Sequence, residues 1–475
     1  MSYDQRQTIA AISTAPGAGG IAVVRISGPQ AFAIGKACFS VTRAVRGSTP
    51  YVGPFAKTKI VSARKAIFGA WNHPNGEQLD EVVVTAFVGP QSYTGEDVLE
   101  ISCHGSVYVQ GAVLESCIAA GARLANPGEY TQRAFLNGRM DLTQAEGVAD
   151  LIASESEASH RLALNQMKGG ISKAMASFRQ NLIDFAALIE LENDFGEEDV
   201  TFADRSVLQK QVSDLRIEIT RLLASFKTGQ AIRDGVAVVL AGRPNAGKST
   251  LLNALLEEER AIVSDIAGTT RDTINADLII QGVKFRVTDT AGIREASDEI
   301  EALGVERTFA EVSKASILLY VFDVVGPKPE DVKADLKKLA RPGLEIIAIG
   351  NKMDLNPYTK AKFFTGEHLA EDRFIPLSAL NEMNVEHLKN RLFDIGIGEL
   401  PPKGNAVLTQ ARHTAALSQA DEALERVHVG LSSSLSGDLI ALDLRQAMHY
   451  IGEVTGEIST DDLLGAIFSG FCIGK

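Results

Sequence analysis

A strand, a glycine-rich turn and a helix are predicted in immediate succession by the segment GVAVVLAGRPNAGKSTLLNALL, residues 235–256. The turn fits the pattern GxxxxGK[ST]. In such a turn, backbone N–H groups and the helix N-terminus surround phosphate oxygens, the lysine reaches the β- and γ-phosphates, and the hydroxyl binds Mg²⁺. This feature therefore predicts a nucleotide-binding α/β domain within the chain. The predicted phosphate-binding residues are Asn245, Ala246, Gly247, Lys248, Ser249 and Thr250, with Ser249 as a Mg²⁺ ligand.

Four further short motifs follow in the order that a GTPase requires: GTTRD, DTAG, NKMD and SAL. Apolar strand-like runs precede the last three. In the third motif, a carboxylate at Asp354 can accept hydrogen bonds from the ring N–H and the exocyclic amine of guanine together, a match that adenine does not offer. Thr270 is suited to sense the γ-phosphate and to complete the Mg²⁺ shell. The predicted GTP-binding residues of these motifs are Thr270, Asp289, Thr290, Ala291, Gly292, Asn351, Lys352, Asp354, Ser378 and Ala379.

One residue expected of a Ras-like GTPase is missing from the sequence. Such an enzyme orients the attacking water with a glutamine directly after the glycine of the DTAG motif, where this chain has Ile293. Hydrolysis is therefore either very slow or depends on another group. Acidic residues that could orient the attacking water follow in the next segment, although each is also compatible with a solvated carboxylate at the start of a helix. They are Glu295, Asp298, Glu299 and Glu301.

The length, the charge and the cysteine content of the chain limit what kind of protein it can be. Its 475 residues predict two or three domains. No apolar run approaches the roughly 20 residues that cross a bilayer, and the N-terminus lacks the shape of a signal peptide, so we expect a cytoplasmic protein without a membrane partner. The net charge of −13 argues against broad nonspecific nucleic-acid binding, but not against a local basic face. The four cysteines form no CxxC pair, as expected of reduced thiols.

The pattern of apolar residues and turn signals divides the chain into four segments. Residues 1–125 mix short strand-like runs with turns and predict an α+β domain, including two strands joined through Asn75-Gly76. Residues 126–233 and 399–475 have helical apolar spacing. Residues 234–398 alternate strands and helices. The simplest architecture is therefore an α/β domain inserted into a helical domain, with GELPPKG as a linker.

Motifs along the whole chain resemble the MnmE (TrmE) family of tRNA-modifying GTPases. These are QTIAAISTAPGAGGIAVVRISGP, YTGEDVLEISCHG, NPGEYTQRAFLNGRMDLTQAEGVADLI, NDFGEEDV and the terminal CIGK. The resemblance implies a multidomain α/β protein. Its parts are an α+β folate-binding-like N-terminal domain, a helical central domain and an inserted Ras-like P-loop GTPase domain with helices on both faces of a largely parallel sheet.

The resemblance also implies an activity and its partners. Members form homodimers through the N-terminal domain and bind a 5-formyltetrahydrofolate type of cofactor. With MnmG (GidA), a partner that carries FAD and uses NADH, they modify carbon 5 of the wobble uridine, position 34, of certain tRNAs. The added group is an aminomethyl or a carboxymethylaminomethyl. GTP hydrolysis drives a conformational change in the complex.

Several site residues follow from the resemblance alone. Folate contacts are implied at Arg25, Glu100, Arg139 and the terminal Lys475; position 139 is commonly lysine in the family, and arginine keeps the charge with a different donor geometry. The family uses K⁺ in hydrolysis, and Glu301 aligns with its water-orienting carboxylate. The implied K⁺ ligands are Asn245, Ser264, Ile266 and Thr269.

The terminal FSGFCIGK admits two interpretations besides the family's. A lipid-anchor motif also has cysteine four residues from the end, but Gly474 is not aliphatic and Lys475 is unusual at that position. A frayed helix end is the plainer interpretation. From the resemblance, Cys472 is a candidate nucleophile or acid–base group, and Lys475 approaches the folate. A thiol of ordinary pKa needs a neighbour that stabilises the thiolate, and the sequence does not indicate one.

Two other functions are compatible with the nucleotide motifs. A ribosome-assembly or signalling GTPase would share the GTP-binding domain and carry out no modification chemistry. A folate-dependent enzyme with regulatory GTP would transfer a one-carbon unit without a partner. The N-terminal motifs and the CIGK tail favour the tRNA-modifying GTPase.

Overall fold

The first part of the chain forms a seven-stranded sheet in the computed structural model, which describes residues 7–41, 65–194, 205–257, 274–289, 301–433 and 435–474. The sheet order is β3-β4-β5-β6-β2-β1-β7, and all neighbours are antiparallel except β1 and β7. The predicted hairpin through Asn75-Gly76 is confirmed as β4 and β5. The strands are β1 (Ile9–Ile12), β2 (Ile21–Ser27), β3 (Phe39–Val41), β4 (Ala66–Asn72), β5 (Gln78–Phe87), β6 (Val98–His104) and β7 (Arg123–Leu124).

The two faces of this sheet have different neighbours because side chains alternate along a strand. Val24 and Ile26 of β2 point into a core that includes residues of α1 (Ala31–Cys38) and α2 (Val107–Ala119). Arg25, between them in sequence, meets Tyr130 of the next helix, α3 (Glu129–Leu136), instead. The predicted folate contacts on β2 and β6 therefore belong to the face opposite α1 and α2.

Helices dominate the regions that the sequence predicts to be helical. Helix α6 (Gly170–Asp194) packs against α13 (Gly437–Thr455), and each helix buries apolar residues, such as Phe178 in α6 and Leu444 in α13. Among the described residues, no helix combines the length and the apolarity needed to cross a membrane. The helices are α4 (Leu142–Ala153), α5 (Glu157–Met167), α6 (Gly170–Asp194), α7 (Arg205–Asp234), α12 (Ala411–Ser432), α13 (Gly437–Thr455) and α14 (Asp461–Ser469).

A second sheet of six strands has the order β13-β12-β11-β8-β10-β9. Its strands are parallel except β9, which is antiparallel to β10. The strands are β8 (Val236–Gly242), β9 (Ile274–Ile280), β10 (Val283–Asp289), β11 (Ile317–Asp323), β12 (Glu345–Asn351) and β13 (Phe374–Pro376); the helices between and after them are α8 (Lys248–Glu257), α9 (Glu301–Lys314), α10 (Pro329–Leu339) and α11 (Val385–Gly396).

Neighbouring residues of β8 enter different cores, which places helices on both faces of this sheet. Leu240 packs in a cluster with Leu251 of α8, whereas Val239 packs in a cluster with Leu336 of α10. The predicted fold class, a multidomain α/β protein with a largely parallel sheet covered by helices on both faces, is confirmed. The carboxyl ends of the parallel strands lie at one edge of such a sheet, where ligands bind in this class of fold.

Contacts divide the chain into two units. One consists of Met1–Ala149, Gln166–Leu208 and Glu422–Lys475 and contains the seven-stranded sheet. The other consists of Asp150–Asn165 and Gln209–Asp421 and contains the six-stranded sheet.

Candidate functional sites

The P-loop between β8 and α8 contains glycines that no other residue replaces easily. Gly242 has φ +148°, and a Cβ there would collide with the Val321 carbonyl oxygen. Gly247 has φ +89°, and a Cβ there would collide with Asn351 Nδ2. Both positions need a left-handed conformation and close backbone approach, which favour glycine. The resulting loop leads directly into the N-terminus of α8, as the sequence predicts for a phosphate cradle.

Lys248, the first residue of α8, folds back onto the P-loop. Its Nζ donates to the carbonyl oxygens of Gly242 and Arg243, at 3.0 and 2.9 Å, and the residue is only 7% exposed. Ser249 and Thr250 follow at the exposed start of the helix. The helix N-terminus therefore presents hydroxyl groups beside a buried ammonium group, a suitable arrangement for phosphate and Mg²⁺.

Asn351 joins two of the predicted motifs. Its Nδ2 donates to Ala246 O in the P-loop at 2.8 Å, and its Oδ1 accepts from the Ala379 amide at 2.9 Å. The side chain is only 3% exposed. The sequence places Asn351 among the predicted GTP-binding residues but does not indicate this bridging role. Through its two bonds, Asn351 holds the P-loop and the loop of the SAL motif together.

The residues predicted to choose the base also lie at this edge of the sheet. Asp354 is exposed, and its Oδ1 accepts a hydrogen bond of 2.6 Å from the hydroxyl of buried Ser378. Lys352 Nζ donates to Asp323 Oδ2 at 2.8 Å. Burial favours a higher pKa for Asp323, but its hydrogen bonds from Lys352 and from the Val325 amide outweigh burial and lower the pKa below its usual range. Asp323 therefore stays ionised and holds Lys352 beside Asp354.

Asp289, the first residue of the DTAG motif, is a predicted GTP-binding residue that the structure describes. It ends β10, pairs with Leu240 of β8 and is buried at the same edge as the P-loop. Glu301 begins α9, but its side chain lies outside the described residues. The remaining predicted residues of this site also lie outside the described residues. They are Ser264, Ile266, Thr269, Thr270, Thr290, Ala291 and Gly292.

Arg25 and Glu100, predicted as folate contacts, form a cross-strand pair. They face each other on β2 and β6, and Arg25 Nε and Nη2 both donate to Glu100 Oε1, at 3.0 and 2.8 Å. The side chains are 17% and 29% exposed, so the pair is accessible from one side. Two charged groups with remaining hydrogen-bonding capacity are therefore presented on the α3 face of the sheet.

Two tyrosines that the sequence analysis did not single out surround Arg25. The guanidinium carbon lies 5.3 Å from the centroid of the Tyr93 ring and 5.6 Å from that of Tyr130. The Tyr130 hydroxyl donates to Arg25 O at 2.6 Å, and the Tyr93 hydroxyl bonds to Thr131 at 2.8 Å. Burial raises the pKa of both tyrosines, so their hydroxyls stay protonated. In the sequence, Tyr93 and Tyr130 stand out only because they lie in two of the motifs that resemble the family, YTGEDVLEISCHG and NPGEYTQRAFLNGRMDLTQAEGVADLI.

Arg139 lies on the surface after α3. Its amide donates to Ala134 O at 2.8 Å, and its Cγ would lie 3.3 Å from a Cβ placed on Gly95. Gly95 is two residues from Tyr93 in sequence. The stem of Arg139 therefore lies against the loop that carries one wall of the Arg25 site, while its head is free to reach solvent or a ligand.

The C-terminal tail folds onto segments next to Arg25. Gly474 O accepts a hydrogen bond of 3.0 Å from the hydroxyl of Ser13, which follows β1, and Cys472 O accepts one of 3.3 Å from the Gly128 amide, which precedes α3. Gly474 has φ +94°, and a Cβ there would collide with Ile12 O. The Cys472 side chain is exposed, and Lys475 lies outside the described residues. The tail is thus docked beside the strand and the helix that flank Arg25.

The fold and the nucleotide site define the class of the protein. A doubly wound, largely parallel sheet carries a GxxxxGKS loop, a buried aspartate of the DTAG motif, and the NKMD and SAL motifs at one edge. These are the features of a P-loop GTPase.

Comparison with known proteins identifies the family. Residues 8–139 match the family model for the N-terminus of the GTP-binding protein TrmE, and residues 142–472 match that for the MnmE helical domain. The tRNA modification GTPase MnmE of Cytophaga hutchinsonii is 46% identical over 470 residues, covering 98% of each chain. That of Parabacteroides distasonis is 46% identical over 479 residues, covering 98% of this chain and 100% of the relative. This chain therefore belongs to the MnmE family of tRNA modification GTPases and is a GTP hydrolase.

Proposed function

We propose that this chain is a K⁺-dependent GTPase that modifies carbon 5 of the wobble uridine, position 34, of certain tRNAs. In this proposal it uses a tetrahydrofolate one-carbon unit and acts with an FAD-containing partner to add an aminomethyl or carboxymethylaminomethyl group. The observation that carries the proposal is the docking of the CIGK tail next to the Arg25 site, in a chain that matches MnmE proteins over almost its full length.

On the nucleotide side, we assign GTP to the P-loop edge of the six-stranded sheet. The P-loop amides and Lys248 hold the phosphates, and Asp354 selects guanine. Ser249 and Thr270 hold Mg²⁺. The position of Ser249, exposed at the start of α8, fits that role. Asn245 has φ +59° and an exposed side chain in the P-loop, which fits a ligand of K⁺. Its proposed partners in K⁺ binding are Ser264, Ile266 and Thr269, with Glu301 orienting the water.

On the modification side, we assign a 5-formyltetrahydrofolate type of cofactor to Arg25, Glu100, Arg139 and Lys475. A folate is anionic and carries a flat ring system with amide and amine groups. Such a ligand fits a guanidinium and a carboxylate beside two aromatic rings. The bound cofactor supplies the one-carbon unit. Cys472 is our candidate for a nucleophile or an acid–base group, because its exposed thiol lies in the docked tail.

The proposed assembly follows the family. We infer a homodimer that forms through the N-terminal domain, residues 1–125. Residues 126–233 and 399–475 form the helical domain, and residues 234–398 form the GTPase domain. The flavoprotein MnmG (GidA) is the proposed partner, and FAD belongs to that partner rather than to this chain. The tRNA substrate supports a cytoplasmic location.

Deletion of residues 472–475 tests the modification site in the full-length protein. Wobble-uridine modification should be lost and folate binding should weaken, because both tail hydrogen bonds disappear. GTP hydrolysis should stay near normal, since the P-loop belongs to the other unit. The matched control is Ile473→Ala, which removes a 56% exposed side chain and keeps the tail backbone.

Full tRNA modification by the truncated protein would contradict the proposed role of the tail. The broader function has a separate test: bulk tRNA from cells that lack this protein should lack the wobble-uridine modification. If that modification persists, the alternative of a GTPase switch without modification chemistry is favoured instead.

A further inference from the structure

Arg243, the residue after the first P-loop glycine, is bound to a carboxylate on α10. Its Nε donates to Asp335 Oδ2 at 2.8 Å, and the Tyr320 hydroxyl donates to the same oxygen at 2.6 Å. Tyr320 lies in β11 and is only 2% exposed. Burial raises its pKa, so the hydroxyl stays protonated and remains a donor. One carboxylate oxygen therefore connects the P-loop, the neighbouring strand and the following helix.

The bound arginine shares its backbone with the phosphate-binding site. Its carbonyl oxygen accepts Lys248 Nζ at 2.9 Å, and that of Gly242 accepts the same ammonium at 3.0 Å. These two peptide groups begin the loop whose later amides must point at the phosphates. A restraint on the Arg243 side chain is therefore a restraint on the orientation of the phosphate cradle.

We propose that Asp335 is a positioning residue for nucleotide binding, which acts through Arg243 to hold the start of the P-loop in its receptive conformation. Without this restraint, the loop loses more conformational entropy when a nucleotide binds, and that loss subtracts from the affinity. GTP and GDP should be affected together because both use the phosphate cradle. Recognition of the base should not change, since it depends on Asp354.

Asp335→Asn in the full-length protein tests the proposal. Titration with a fluorescent GDP analogue, and competition by GTP, should show both affinities reduced about three- to fivefold. The amide keeps an acceptor oxygen but loses the charge that strengthens the bond to Arg243, and the pair is partly exposed to solvent. The KM for GTP should rise while kcat at saturating GTP changes less than about twofold, because ordering of the loop is then already achieved. General destabilisation would lower kcat as well.

Asp331→Asn is the matched control. Asp331 lies one turn earlier on α10, and its Oδ2 is 3.9 Å from Arg243 Nη1, too far for a hydrogen bond. This variant loses the same charge and should keep nucleotide affinity within about twofold of the wild type. An equal loss of affinity in both variants would overturn the proposal, since general charge would then explain the effect.

A double-mutant cycle with Arg243→Gln completes the test. Because Asp335 acts through Arg243, Arg243→Gln should weaken binding as Asp335→Asn does, and the double variant should be no weaker than either single variant. Additive losses, or unchanged affinity in Asp335→Asn, would overturn the proposal. If Asp335→Asn does not fold, the affinity of Arg243→Gln decides: a loss of about three- to fivefold supports the role, and wild-type affinity removes it.

Discussion

Replacement of Asn351 should separate two loops that the nucleotide site needs in one place. The side chain donates to Ala246 O at 2.8 Å and accepts from the Ala379 amide at 2.9 Å. Ala246 and Ala379 are almost completely buried, so water does not easily replace the lost partner. Asn351→Ala removes both bonds and leaves a buried carbonyl and a buried amide without their side-chain partner. The perturbation therefore acts on the P-loop and on the SAL motif at once.

The size of the effect follows from these two bonds. A buried group that loses its hydrogen bond costs about 1–3 kcal/mol, so the two groups together destabilise the joined arrangement of the loops by at least ~2 kcal/mol. Because a bound nucleotide needs that arrangement, the affinity for GDP and GTP should fall roughly 30-fold. Asn351→Asp keeps an acceptor for the Ala379 amide but places an oxygen against Ala246 O. It should therefore bind nucleotide at least as weakly as Asn351→Ala.

Equilibrium titration of the full-length variants with a fluorescent GDP analogue measures the loss. Asn390→Ala is the matched control: its Oδ1 accepts a 2.9 Å hydrogen bond from Gln281, but the pair is exposed. This control should change affinity by less than about twofold because exposed hydrogen bonds exchange with water. If Asn351→Ala binds GDP within about threefold of the wild type, the bridge contributes little and the reasoning is refuted.

Three further predictions concern base choice and hydrolysis. Asp354→Asn should weaken GTP binding at least tenfold, about 1.4 kcal/mol, and admit xanthine nucleotide, because an amide presents a donor where guanine needs an acceptor; unchanged GTP affinity in a titration would contradict the assignment. Replacement of KCl by NaCl at equal ionic strength should slow GTP turnover strongly while nucleotide still binds, and equal rates would remove the case for a K⁺ site. Glu301→Ala should depress turnover and spare binding; if Asp298→Ala does so instead, the choice of carboxylate is wrong.

Local sequence predicted those elements whose geometry is set by neighbours in the chain. The Asn75-Gly76 turn joins β4 and β5 as expected, and Gly76 has φ +95°, which glycine adopts readily. The P-loop follows a buried strand and precedes α8 for the same reason: its spacing and its glycines act over a few residues.

The two tyrosines beside Arg25, Tyr93 and Tyr130, could not be predicted from the local sequence. Tyr93 lies in a loop and Tyr130 in a helix, and neither residue type has a spacing that points to an arginine. They meet because β2 carries Arg25 on the face opposite α1 and α2, where α3 packs. A different register of β2 by one residue would turn Arg25 to the other face.

The sequence by itself determined that this chain binds GTP through a P-loop domain and that it belongs to the MnmE family. Those conclusions rest on short motifs in which each residue performs its chemistry beside its neighbours in the chain. Only the tertiary structure decided which distant groups meet: Asn351 with Ala246 across 105 residues, and Gly474 with Ser13 across 461. Strand register and helix packing set such contacts, and both depend on the burial of apolar surface over a whole domain rather than on any local spacing.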